Sequence, residues 1–164
     1  MKCVALASAR IRERDRGFTL IELMIAIAIA AILAMVAFPT YMSSVRKGRR
    51  SEAVAALTAM QQAQERFRAN NSSYATTTGN PPVGIDTPPA GSGYYTYTID
   101  YADGTNYVMT ANAVAGKSQA NDGSCTTMRL QISGGAVSYG SCAGCAAVTP
   151  PAGPLTDPAN CWSR

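Results

Sequence analysis

Sixteen consecutive residues, Leu23 to Phe38, carry no charge and no polar side chain. They lie inside the stretch RGFTLIELMIAIAIAAILAMVAFPTY, Arg16 to Tyr41. At about 1.5 Å per residue, Phe18 to Phe38 extends roughly 30 Å as a helix, the thickness of a hydrocarbon core. A helix that is apolar all round must be surrounded by lipid or by other apolar helices. One acid, Glu22, interrupts the pattern four residues after Phe18. Burying its charge costs about 2.5 kcal/mol or more, so the residue calls for a compensating partner. Pro39 ends the run; it removes one donor and crowds the carbonyl of Met35, which predicts a kink rather than a stop.

Charge divides the chain in the same way. Of the net charge of +4, +3 falls on residues 1–17, where Lys2, Arg10, Arg12, Arg14 and Arg16 oppose Glu13 and Asp15. That excess bears on membrane orientation more than on nucleic acid. The chain has no histidine, hence neither the commonest general base nor the commonest zinc ligand. It also lacks clustered carboxylates and the logic of a Ser or Cys triad. No catalytic residue, metal or cofactor is therefore expected. Of the five cysteines, Cys3 belongs to the leading segment, while Cys125, Cys142, Cys145 and Cys161 crowd the last forty residues. Such clustering in a polar, loop-rich region points to an oxidising compartment.

The organisation follows from periodicity. Residues 1–17 read as a leader and 18–40 as the apolar helix. From 41 to 71 the helix continues as an amphipathic one: Val54, Leu57, Met60, Gln64 and Phe67 recur at helical spacing, with Ala53, Ala56 and Ala63 beside them. Residues 72–93 form a Thr/Gly/Pro loop containing Pro81-Pro82 and Pro88-Pro89. Residues 94–164 carry strand signals. Tyr95, Tyr97, Ile99 and Tyr101 alternate onto one face, Asp103-Gly104 marks a turn, and Asn106 to Val114 supplies the partner strand. Met128 to Ser133 and Ala136 to Tyr139 form a second hairpin around Gly134-Gly135. The expected fold is α+β, one long helix packed on about four antiparallel strands. A small sheet alone is marginal, so this packing supplies the soluble core.

The segment Gly17-Phe18-Thr19-Leu20-Ile21-Glu22-Leu23-Met24, the unbroken apolar run, and then Pro39 and Tyr41 resemble the N-terminus of type IV pilins and related pseudopilins. The resemblance implies that a prepilin peptidase cuts between Gly17 and Phe18 and methylates the new amine of Phe18. It implies a subunit of a helical filament built by inner-membrane assembly machinery, single-pass in that membrane first and on the cell-surface pilus afterwards. In this setting Glu22 gains a partner. Cleavage creates a positive amine on Phe18, and in a stagger of helices Glu22 of one subunit can face the Phe18 amine of its neighbour. The amine of its own chain, one turn away, is the competing partner; the family pattern favours the neighbour. Pro39 and Gly48 supply slack for the helix. A plain membrane anchor and a cleaved secretory signal are the simpler alternatives. Against the secretory signal, the apolar run is long and the charged leader ends in glycine directly before it; a methylated Phe18 at the mature N-terminus would argue against the plain anchor.

The second half resembles PilE-like minor pilins: GYYTYTI, YVMTANAVAG, DGSCTTMRLQISGGAV and the terminal Asn160-Cys161-Trp162. In that pattern the cysteine before the third strand pairs with the one beside the terminal tryptophan, which implies Cys125–Cys161. A bridge closing more than thirty residues contributes roughly 3–4 kcal/mol in the chain-entropy picture. Cys142 and Cys145 are additional to the pattern and can form a small bridge of their own; a four-cysteine zinc site is the rival. The basic cluster Arg46-Lys47-Gly48-Arg49-Arg50 suits headgroup contact, then acidic groups of a neighbouring subunit, and last DNA, since no aromatic residue interleaves it for base stacking. The tyrosines suit sheet packing better than a ligand face. The resemblance therefore implies a minor pilin that supports motility and adhesion. The alternative is a pseudopilin of type II secretion, a class that uses a calcium loop near the C-terminus, whereas Asp122 and Asp157 stand apart in the sequence.

Overall fold

A computed structural model describes residues 17–79, 84–86, 93–145 and 153–162. The rest of the leader and the Pro81-Pro82 and Pro88-Pro89 pairs lie outside the described residues. The chain divides into two units, Met1–Thr40 and Tyr41–Arg164. Helix α1, Leu20–Asn70, begins in the first unit and ends in the second. Pro39 sits inside it with helical residues on both sides. In the first unit every described residue is exposed, including Phe18, Leu20 and Met35.

In the second unit a four-stranded antiparallel sheet runs in chain order: β1 Tyr95–Ala102, β2 Asn106–Ala113, β3 Thr127–Ser133 and β4 Ala136–Cys142. Two 3-10 turns, Ser118–Asn121 and Gly123–Cys125, join β2 to β3. The expected second hairpin turns at Gly134 and Gly135, whose φ values of 57° and 85° meet the need for two left-handed residues in a tight turn. The first hairpin closes differently. Oδ1 of Asp103 accepts the backbone N–H groups of Thr105 and Asn106, both at 2.7 Å, so a side chain takes over the work of a left-handed backbone.

Packing follows the amphipathic stripe. Ala53, Ala56, Leu57, Met60, Ala63 and Gln64 are the buried residues of α1. With Tyr107, Met109, Ala111, Met128, Leu130 and Ile132 they make the core. Each large apolar side chain buried here stabilises by about 1.5–3 kcal/mol. Gln64 is fully buried because its amide mimics a strand: Nε2 donates to the Ala75 carbonyl at 2.8 Å, and Oε1 accepts the Ala75 N–H at 2.9 Å. Val54 and Phe67 sit at the margins, half-buried.

The tyrosine alternation holds for Tyr95, Tyr97 and Ile99 but not for Tyr101. A register shift between Ile99 and Tyr101 pairs Tyr101 with Val108. One extra residue reverses every later side chain. The extra residue is Asp100, whose carboxylate accepts the hydroxyls of Thr98 and Thr110, while the Tyr101 hydroxyl donates to Asp103 at 2.7 Å. β4 also extends to Cys142, past the expected Tyr139, because Thr127, Met128 and Arg129 pair with Cys142, Ser141 and Gly140.

The outward row of β3 is buried as well. Arg129 donates to the Cys145 carbonyl at 3.1 Å and Gln131 to the Gly153 carbonyl at 2.8 Å. Leu155 lies against Gly140, where a Cβ would come within 2.8 Å of it. Cys125 and Cys161 are bonded with their Cα atoms 5.6 Å apart, and Cys142 with Cys145 at 5.9 Å. The two bridges span 36 and 3 positions, so chain entropy gives roughly 3–4 and about 2 kcal/mol respectively. Cys161→Ser should therefore lower the unfolding free energy about twice as much as Cys145→Ser. Denaturant titration of the two variants in detergent checks the ratio.

Candidate assembly interface

The apolar end of α1 is built from its first turn. Thr19 precedes the helix, and its Oγ1 accepts the backbone N–H of Glu22 at 3.2 Å; its carbonyl accepts Leu23 N–H, also at 3.2 Å. Thr19-Leu20-Ile21-Glu22 thus has the Thr-x-x-Glu spacing of a capping box. The acid stands in the first turn, where the helix dipole favours it by about 0.3–1 kcal/mol. The Thr-x-x-Glu spacing is the local sequence signal for this role. The effect is also too small: the dipole recovers less than half of a burial cost of about 2.5 kcal/mol. A cation is still needed once Glu22 leaves water.

Beyond that turn, α1 offers apolar surface on every side. Phe18 is 80% exposed, and Ile25, Ile29, Ile32 and Phe38 are all more than half exposed. By length and composition this helix is long and apolar enough to cross a membrane. Gly17 and Phe18, the expected cleavage pair, lie just before the helix and are exposed.

The basic cluster does not form a free surface. The Arg49 guanidinium stacks over the Tyr94 ring, 3.7 Å from its centroid, and donates to Ser118 Oγ. Arg50 forms a bidentate pair with Asp122 at 2.6 and 2.7 Å. The Asp122 bond raises the Arg50 pKa against the opposing effect of burial. Gln119 extends the network, donating from Nε2 to the Tyr95 hydroxyl at 2.8 Å and to Asp122 at 3.3 Å. Lys47 remains exposed. Two of the cations expected at headgroups, neighbours or DNA thus fasten α1 to the β2–β3 connection. The signal for this was Asp122, which seemed isolated only because its partner lies 72 positions away.

Asp157 is the second fastener. It accepts Ser141 Oγ and the backbone N–H groups of Cys161 at 2.9 Å and Trp162 at 3.0 Å. Burial alone would raise its carboxyl pKa; these hydrogen bonds outweigh burial and hold it below the usual range. The indole of Trp162 donates to the Gly140 carbonyl at 2.8 Å and packs on Tyr139, with ring centroids 4.7 Å apart. Among the described residues no three His, Cys, Asp or Glu side chains gather as a metal site.

Two stability predictions follow from these fasteners. Arg50→Ala leaves the Asp122 charge buried and should cost about 3 kcal/mol, whereas Lys47→Ala should stay within about 0.5 kcal/mol; chemical denaturation separates them. For Asp157, a depressed folded pKa gives stability that is complete above the unfolded value of about 3.9 and is lost as pH falls through the lower folded value. Melting temperatures between pH 6 and 2 should therefore fall less steeply for Asp157→Asn than for the native chain.

Comparison with known proteins bears on the whole arrangement. Residues 39–129 match the family described as type IV minor pilin ComP, DNA uptake sequence receptor. Residues 12–38 match the prokaryotic N-terminal methylation motif. The chain is 42% identical over 67 residues to the type IV major pilin protein PilA of Myxococcus xanthus, covering 41% of this chain and 30% of that protein. It is 38% identical over 65 residues to the type II secretion system core protein G of Klebsiella pneumoniae, covering 40% and 46%. It is 34% identical over 102 residues to the type IV major pilin protein PilE1 of Neisseria gonorrhoeae, covering 62% and 59%. The chain thus spans between about a third and three fifths of the length of these relatives.

Proposed function

The chain belongs to the type IV pilin family, and from that premise we propose that it works as a minor pilin, a structural subunit of a type IV pilus. The observation that carries this reading is the split in α1. Its second half is consumed by the sheet, while its first half exposes apolar side chains that nothing in its own unit covers. A subunit of this kind waits in the inner membrane, where lipid covers residues 18–40, and enters a filament when other subunits replace the lipid. Prepilin peptidase cuts between Gly17 and Phe18, and methylation leaves the new amine charged. Glu22 of one subunit then pairs with the Phe18 amine of the next. Pro39 is the point at which the helix can bend during the transfer, since the carbonyl of Met35 has no N–H to accept from it. Motility and adhesion are the activities such a filament supports.

A type II secretion pseudopilin is the second reading, favoured by the likeness to core protein G. Against it, Asp122 and Asp157, the acids a C-terminal calcium loop would draw on, are already bonded to Arg50 and to the chain end. The DNA uptake named in the family description is the least favoured activity here, because Arg49 and Arg50 are spent within the subunit.

The experiment is Glu22→Leu in cells that make the filament. The variant should insert and be processed to methyl-Phe18 as usual, yet its incorporation into sheared filaments should fall at least tenfold. Incorporation at the native level would refute the pairing, and a native product that retains residues 1–17 would refute the pilin reading itself.

A further inference from the structure

The two disulfides differ in what can reach them. Cys125 and Cys161 are 3% and 2% exposed. Cys142 and Cys145 are only half-buried, and Ala143 and Gly144 between them are exposed. A disulfide is opened by a thiolate that must reach one of its sulfurs, so the second bridge is the one open to a reagent in solvent. Its Cys-x-x-Cys turn is also held by contacts other than the sulfur–sulfur bond. Gly144 takes a left-handed φ of 59°, which a side chain would resist. The Thr126 Oγ1 holds both arms, donating to the Cys142 carbonyl at 3.3 Å and accepting the Gly144 N–H at 3.2 Å. The pairing of Thr127 with Cys142 fixes the first cysteine at the end of β4. Two thiols in this turn therefore stay near each other and are placed to rejoin.

We propose that the Cys142–Cys145 bridge is a reversible exchange site for a dithiol, and that its opening uncovers the outward row of β3. Such a site needs only the folded unit, not the filament, and the pair takes part as substrate rather than as catalyst. A cation stands beside it. Arg129 pairs with Gly140, two residues before Cys142, and so shares the Cys142 face of the sheet. Its Nη2 donates to the Cys145 carbonyl at 3.1 Å. A neighbouring arginine favours a thiolate, which makes Cys145 the better leaving group. The thiolate of the dithiol bonds to Cys142 Sγ, the Cys142–Cys145 bond breaks, and its electron pair leaves on Cys145 Sγ, which takes a proton from water. The second thiol of the dithiol, once deprotonated, attacks its own partner sulfur and displaces Cys142 as a thiolate, which is protonated in turn. The bridge gains two electrons and two protons, and the dithiol leaves as a disulfide. The bridge ties Cys145 to the end of β4, and Cys145 in turn covers Arg129, which is 6% exposed. Removing that tie lets the Cys145 carbonyl leave Arg129. The state of one small bridge thereby sets whether the outward row is covered.

The test uses the full chain in detergent under native conditions, with dithiothreitol as the dithiol. Differential alkylation and peptide mass spectrometry follow each cysteine. Cys142 and Cys145 should become reduced together, at least tenfold faster than Cys125 and Cys161, with the circular dichroism unchanged. Equal rates, or reduction only once the chain unfolds, overturn the proposal. In the chain with this bridge alone reduced, phenylglyoxal should modify Arg129 at least fivefold faster than in the oxidised chain; an unchanged rate overturns the uncovering. A protein dithiol whose second cysteine is replaced by serine should be trapped on Cys142, and trapping on any other cysteine overturns the assignment. Thr126→Val should slow reoxidation by oxidised dithiothreitol at least threefold, and Thr126→Ser should keep the native rate. Reoxidation of Thr126→Val at the native rate overturns the positioning role of Thr126.

Discussion

Helix α1 must satisfy two solvents with one backbone. From Ala53 to Gln64 the apolar positions fall on one side and the sheet covers them. From Leu20 to Phe38 they fall on all sides, and no single sheet can cover a cylinder. That second demand is met only by lipid or by several other helices. The rest of the molecule is arranged so that α1 can change its surroundings without losing the folded unit at its other end. The fasteners all act beyond Tyr41: Arg50 on Asp122, Gln64 on Ala75, and the bridge from Cys125 to Cys161.

These fasteners compensate for a modest core. Four strands and half a helix bury few large side chains, and much of the described chain after β4 has no regular structure. Polar anchors do the holding there. Asp157 gathers Ser141, Cys161 and Trp162; Arg129 and Gln131 hold the backbone at Cys145 and Gly153. Each such bond is worth only about 0.5–1.5 kcal/mol, somewhat more where a charge takes part. Together with the two disulfides they convert a polar tail into a fixed wall. Fixing the tail also shapes the surface, because Trp162 and Cys161 bound a groove beside α1.

What the sequence disclosed depends on the range of the interactions. The apolar run, the Val54–Phe67 stripe and the Gly134-Gly135 turn are local patterns, and helix, core face and hairpin could be read from them. The Cys125–Cys161 pairing came from family likeness, since spacing alone leaves three pairings of four cysteines open. Long-range polar partnerships left no local trace. Arg50 and Asp122 are 72 positions apart, so the arginine looked like surface charge and the aspartate looked unattached. The bulge at Asp100 was hidden because the YYTYTIDY alternation continues unbroken through it. The Thr19–Glu22 cap is a local pattern, overshadowed in the sequence by the apolar run that follows it.

Glu22 bears on what the apolar helix can specify. In the proposed starting state lipid already covers the run from Leu20 to Phe38, so its transfer to neighbouring subunits gains no water-to-oil free energy and rests on close packing between helices. Apolar packing is poorly directional, however, and Ala and Ile repeat so evenly from Ile25 to Ile32 that a slip of one turn would cost little. A single buried carboxylate that finds a cation at one offset only makes every other offset expensive. In the proposed pairing its contribution would be register, the best-attested use of a buried ionic pair. An N-terminal amine would suit that task because the proposed cleavage alone would create it, four residues from the acid in every copy.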